Sequence, residues 1–171
     1  MNERLILGIP EELVEKTEEE AGTAKDLEGY IKDQLDLIDK EQPELYGFMQ
    51  VAGKGLGIKD IFSYSVGAAL SYRMIPDQER SVQLTTPQLT TVQNSLRESI
   101  DVAGSKRGTI NVSWFVEKVQ IDSPAYSGWL EEMVTGLEDP KSVNDFILGS
   151  FIVVMPFYQR AEARQLEEKL K

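Results

Sequence analysis

Val143-Asn144-Asp145-Phe146-Ile147-Leu148-Gly149-Ser150-Phe151-Ile152-Val153-Val154-Met155 is the stretch that decides the fold. Val143, Phe146, Ile147, Phe151 and Val154 share one face of a 3.6-residue period, while Leu148, Ile152 and Val153 fall on the other. A helix that is apolar on every side is stable only when other helices surround it. The spacing therefore predicts an all-α, multi-helix bundle with segment 143–155 at its centre. The full apolar run, Phe146 to Tyr158, is shorter than the roughly 20 residues a bilayer core requires. Pro156 is expected to kink or restart this helix, because its ring removes a backbone donor and clashes with the preceding turn.

Outward from this element, helical stripes recur behind start signals. Ser123-Pro124 opens a helix whose Tyr126, Trp129, Leu130, Met133, Val134 and Leu137 make the cleanest stripe in the chain. Thr86-Pro87 caps another, with Leu89, Val92, Leu96 and Ile100 at helical spacing. Ile58, Ile61, Phe62, Ser65, Ala69 and Tyr72 share a face that Pro76 ends, and Gly67 and Ala68 beside it admit close approach by a second helix. Asp77 to Thr85 reads as a polar loop, with Val82 and Leu84 turned toward the core.

Toward the start, Pro10 opens a short acidic helix that Gly22 ends, and Thr23 with Asp26 three residues on resembles a capping box for a stripe running from Leu27 to Ile38. Pro43 starts a helix that Gly53, Gly55 and Gly57 break. Ile110 to Ile121 fits both an alternating strand and a helix, and the shortage of pairing partners favours helix. About seven or eight helices follow, in one domain over residues 1–171. A subdivision into acidic N-terminal helices (1–56) and core helices (57–171) is compatible with the pattern.

Composition excludes much chemistry. The chain of 171 residues has no histidine and no cysteine, which removes imidazole acid–base work, histidine or thiolate metal ligation and thiolate nucleophiles. Gly53-Lys54-Gly55-Leu56-Gly57 lacks the spacing of a phosphate loop, since Phe48 stands where the first glycine would be and Gly55 follows the lysine. Net charge is −11, and residues 1 to 60 hold 15 of the 29 acids but only 7 of the 18 bases. That balance argues against a nucleic-acid partner. The first residues lack a basic leader and an apolar signal core, so a cytoplasmic location is expected.

One acidic constellation stands out. Glu11, Glu12 and Glu15 lie within a turn of each other, and so do Asp33 and Asp36 one helix later. If those two helices paired antiparallel, the carboxylates would meet and hold Mg²⁺, a cation that prefers oxygen ligands. If instead Leu13, Val14 and Leu35 face the core, the same acids form a solvated face. The pattern resembles the EExxE, spacer, ExxD signature of the all-α nucleoside triphosphate pyrophosphohydrolases, with Asp33 where that family has Glu. The resemblance implies a magnesium-assisted attack of water on a nucleotide's phosphate chain.

A second local resemblance is to ribbon-helix-helix DNA-binding domains, carried by Leu5 to Pro10, Glu11 to Ala21, Gly22 and Thr23 to Leu35. It implies a paired strand that reads the major groove, for which only Asn2 and Arg4 are suited, or the same geometry used for dimerisation. The expectation that fits the whole chain best is a non-catalytic interaction, scaffold or adaptor protein without cofactor. Its partner would be another protein or a second copy, as in a homodimer, rather than nucleic acid or membrane. The magnesium-dependent pyrophosphohydrolase comes next, and a ribbon-helix-helix-like regulator third.

Overall fold

The computed structural model describes residues 8–55, 58–102 and 123–170, and for 95–102 the backbone alone. Among the described residues the chain is all-α, with eight helices and no strand. They are α1 (Glu11–Thr23), α2 (Leu27–Glu41), α3 (Pro43–Gly55), α4 (Ile61–Met74), α5 (Asp77–Arg80), α6 (Thr86–Val102), α7 (Pro124–Gly136) and α8 (Pro140–Leu170). None is long and apolar enough to cross a membrane. The Ile110 to Ile121 segment lies outside the described residues.

Every residue of α8 from Asp145 to Tyr158 is buried, as expected for a helix apolar all round. Its neighbours are α3, α4, α6 and α7, and α4 is the most intimate of them. Gly67 of α4 faces Phe146 and Ser150, while Gly149 of α8 faces Tyr64 and Ala68. Further along, the Tyr72 and Phe157 rings lie 6.3 Å apart. Partner numbers rise together on both helices, so α4 and α8 run parallel. A Cβ on either glycine would collide with the other helix's backbone.

The polar groups caught in this seam are bonded, as burial demands. Ser150 Oγ donates to Phe146 O (3.1 Å) or Gly67 O (3.3 Å), and the Ser71 and Tyr126 hydroxyls share a 2.8 Å hydrogen bond. α8 also continues through Pro156 rather than restarting there. One backbone bond is forgone, but Met155, Pro156 and Phe157 are all buried. Packing of that kind, more than local propensity, sustains helices in proteins.

Helix ends shift from their expected places wherever a side chain offers a better partner. α1 runs through Gly22 to Thr23, whose hydroxyl donates to Glu19 O (2.8 Å), so Asp26 rather than Thr23 precedes α2. α3 includes Gly53 and Gly55, because Gly53 rests on the Tyr64 ring and the Tyr64 hydroxyl donates to Met49 O (2.7 Å). α6 is opened by a reciprocal capping box one residue early: Gln88 N donates to Thr85 Oγ1 (3.4 Å) and Thr85 N to Gln88 Oε1 (2.9 Å).

The expected loop 77–85 contains a helical turn, α5, and its exit is fastened by Gln42. Gln42 Nε2 donates to Arg80 O and Val82 O, both at 2.9 Å, and Gln42 Oε1 accepts from Leu84 N at 2.8 Å. Leu84 is thereby buried, whereas Val82 faces solvent.

Ion pairs tie helices together at several places, Arg80 of α5 with Glu41 of α2 (3.5 Å) among them. Arg73 of α4 grips Glu20 of α1 through Nε (3.2 Å) and Nη2 (3.1 Å), and the Tyr30 hydroxyl of α2 donates to the same carboxylate at 2.9 Å. The Arg73 hydrogen bond holds the Glu20 carboxyl below its ordinary range despite some burial, and burial with that carboxylate pushes Tyr30 up to about 12. Glu79 of α5 receives Arg160 (3.1 Å) and Arg164 (2.6 Å) from α8. Burial alone would raise the Glu79 carboxyl, but the two guanidinium groups outweigh it and leave the pKa lowered.

Depressed carboxyl values stabilise the fold fully above the unfolded glutamate range and lose that effect as pH falls through the folded values. Denaturation midpoints measured from neutral pH down to about 3 should therefore drop below about pH 4.5. The drop should be shallower in Arg73→Met, which removes the cause at Glu20. A second test concerns the glycines. Gly149→Ala should cost about 2–3 kcal/mol by overpacking, whereas Gly128→Ala, on an open face of α7, should stabilise by up to about 1 kcal/mol. Thermal melts of the two variants should move in opposite directions.

Candidate functional site

Glu11, Glu12, Glu15, Asp33 and Asp36 are all exposed. The helices that carry them pack chiefly on α4, α1 also on α7 and α2 also on α3. Val14 and Thr17 on α1, and Ile31 and Ile38 on α2, take the buried positions, which turns the acids outward. Among the described residues no three carboxylates are grouped so as to hold a metal ion. Of the ribbon-helix-helix pattern, α1 and α2 are present with a short link, and residues 1–7, including Asn2 and Arg4, lie outside the described residues.

A different place is concave. A cleft of about 490 Å³ opens where α2, α3 and the first turns of α4 meet, within the range of about 300–1,000 Å³ usual for binding pockets. Leu35, Met49, Ile58 and Ile61 supply apolar wall, and Tyr46, Gln50, Lys54, Tyr64 and Ser65 supply polar edges. At its mouth Ile61 is 69% exposed and Phe62 beside it 46%.

The corner is held open by a buried acid on α8. Asp145, only 3% exposed, accepts from Lys59 N (3.1 Å) and Asp60 N (2.6 Å) through Oδ2. Those bonds turn the chain into α4. Asp60 then caps the helix, accepting from Ser63 N (3.1 Å), Ser63 Oγ (2.8 Å) and Ser142 Oγ (2.7 Å). The Ser142 bond is the foremost reason that the Asp60 carboxyl lies below its usual range.

Lys54 is the one charged side chain among the described residues lining the cleft, and exposed Lys59 follows just beyond Ile58. The Tyr64 hydroxyl is no base or nucleophile, because burial pushes its pKa up and its proton is committed to Met49 O. The arrangement suits docking of an apolar group that carries negative charge.

The sequence pattern places Ile58, Ile61, Phe62, Ser65, Ala69 and Tyr72 on one face; Ala69 and Tyr72 are buried and Ile58 packs against the core, but Ile61 and Phe62 are exposed. From Ser63 to Met74 every residue of α4 except Ser65 and Arg73 is buried, which leaves Ile61 and Phe62 as the exposed apolar side chains of its first turn, although Ser142 of α8 reaches Asp60 beside them. Asp145 gave no signal, being one acid inside an apolar run. Comparison with protein-family models, curated proteins and solved structures finds no match.

With the five N-terminal acids dispersed in solvent, millimolar Mg²⁺ should leave the melting temperature unchanged, and Glu15→Gln should melt with the parent chain. A magnesium-dependent rise that Glu15→Gln abolishes would restore the carboxylate centre.

Proposed function

We propose that this chain acts by contact rather than by catalysis, as an interaction protein whose docking surface is the α2/α3/α4 cleft and its Ile61–Phe62 lip. The observation that carries this reading is the coincidence, at one corner, of an apolar concavity with two large apolar side chains left in water. Covering such a side chain on docking is worth about 1.5–3 kcal/mol when burial is complete, enough for a few to dominate an interface. The lysines at the rim add selectivity for an acidic partner and speed its approach.

The cleft can be probed with 8-anilinonaphthalene-1-sulfonate, an apolar anion that fluoresces when desolvated. At low protein concentration the folded chain should enhance its emission. Ser65→Trp, which fills the cleft, and Ile61→Glu, which adds charge to its lip, should each reduce the signal severalfold while leaving the helical circular dichroism intact. Emission unchanged by both substitutions would place the probe elsewhere and sink the docking surface.

A further inference from the structure

The pole opposite the cleft carries a complementary feature. Beyond Ala161, α8 sheds its cover, and Leu166 and Leu170, one turn apart, are 55% and 88% exposed. Ala163, Leu166, Glu167 and Leu170 recur at i, i+3, i+4 and i+7, the spacing of a helix face that lies in a groove. All four are exposed. This face is apolar with one acid, and the cleft is apolar with one base at its edge, Lys54.

These two surfaces cannot meet within one molecule. α8 passes the cleft corner at Asp145, whose carboxylate binds the backbone of Lys59 and Asp60. Leu166 lies 21 residues further along the same unbroken helix, roughly 30 Å away at about 1.5 Å of rise per residue. A rigid helix cannot fold back over that distance, so the tail of one chain can only enter the cleft of another.

Resting on the docking surface proposed above, we infer that its partner is a second copy of this chain, whose α8 tail lays Leu166 and Leu170 into the cleft with Glu167 toward Lys54. Because cleft and tail occupy opposite poles, two chains placed antiparallel about a two-fold axis satisfy both contacts at once. A closed pair is the commonest form of self-association, and the reciprocal contact doubles a surface that is small when made once.

Sedimentation of the full chain over a concentration series tests this. The wild-type chain should associate as concentration rises. Leu166→Glu/Leu170→Glu, which alters only solvent-exposed side chains, should weaken association about tenfold or more with no loss of helicity. Lys54→Glu should also weaken it, and the double change Lys54→Glu/Glu167→Lys should recover it. A mixture of the tail variant with the cleft-filled Ser65→Trp chain should form mixed pairs through the one junction still intact.

A chain that stays monomeric at every concentration, or a tail variant that associates as the wild type does, overturns the inference. The naphthalene sulfonate probe separates that failure from failure of the cleft. If the tail variant still binds probe in a Ser65→Trp-sensitive way, docking at the cleft stands and only the identity of the occupant falls.

Discussion

The close parallel contact between α4 and α8 is the constraint on which the other packing depends. Gly67 and Gly149 let backbone meet backbone where any side chain would hold the helices apart. Two buried helices at such a distance leave a rod whose flanks are broad and apolar, and the remaining helices cover it. α1 and α2 lie on the α4 side, α6 and α7 on the α8 side, and α3 bridges toward both through α2 and α8. The aromatic cluster of Tyr126, Trp129 and Phe146, with successive centroids 5.7 and 5.6 Å apart, fills the space between α7 and α8.

That arrangement explains why polar groups sit where they do. Ser150 fits the seam because its small hydroxyl can donate to a carbonyl of either helix without widening the gap. The carboxylates Glu20, Glu79 and Asp145 mark places where a peripheral element is tied to the rod: α1 through Arg73, α5 through Arg160 and Arg164, and the α3–α4 turn through its own backbone amides. The donors to Asp145 are backbone amides already fixed by the turn, so little ordering entropy opposes those bonds, whereas each arginine gives up rotamer freedom to make its own.

The fold was legible in the sequence because its main signal is redundant. Segment 143–155 has too many apolar residues on too many sides to be anything but central, and prolines and small polar residues announced most helix starts. Where the expected boundaries moved, as at Thr23, Gly53 and Thr85, the deciding partner was a side chain whose position depends on tertiary contacts. The cleft was harder to foresee. Its wall residues come from three helices and the α3–α4 turn, and the exposure of Ile61 and Phe62 depends on which side of the first turn of α4 the neighbouring helices cover, which periodicity does not encode. The N-terminal acids show the converse: their spacing has the form of a metal site, yet the buried positions of α1 and α2 decide which way they point.

Gln42 illustrates how narrow such a solution can be for an evolving sequence. Both hydrogens of its amide and its oxygen are engaged by Arg80, Val82 and Leu84, so the position demands two donors and one acceptor at the end of a side chain of that length. Glutamate lacks the donors, lysine and arginine lack the acceptor, and asparagine is a methylene short. Each such exchange strands buried backbone groups at about 1–3 kcal/mol apiece. Mutational drift at residue 42 is therefore closed in nearly every direction, although nothing in its local sequence distinguishes it from the exposed glutamines elsewhere in the chain.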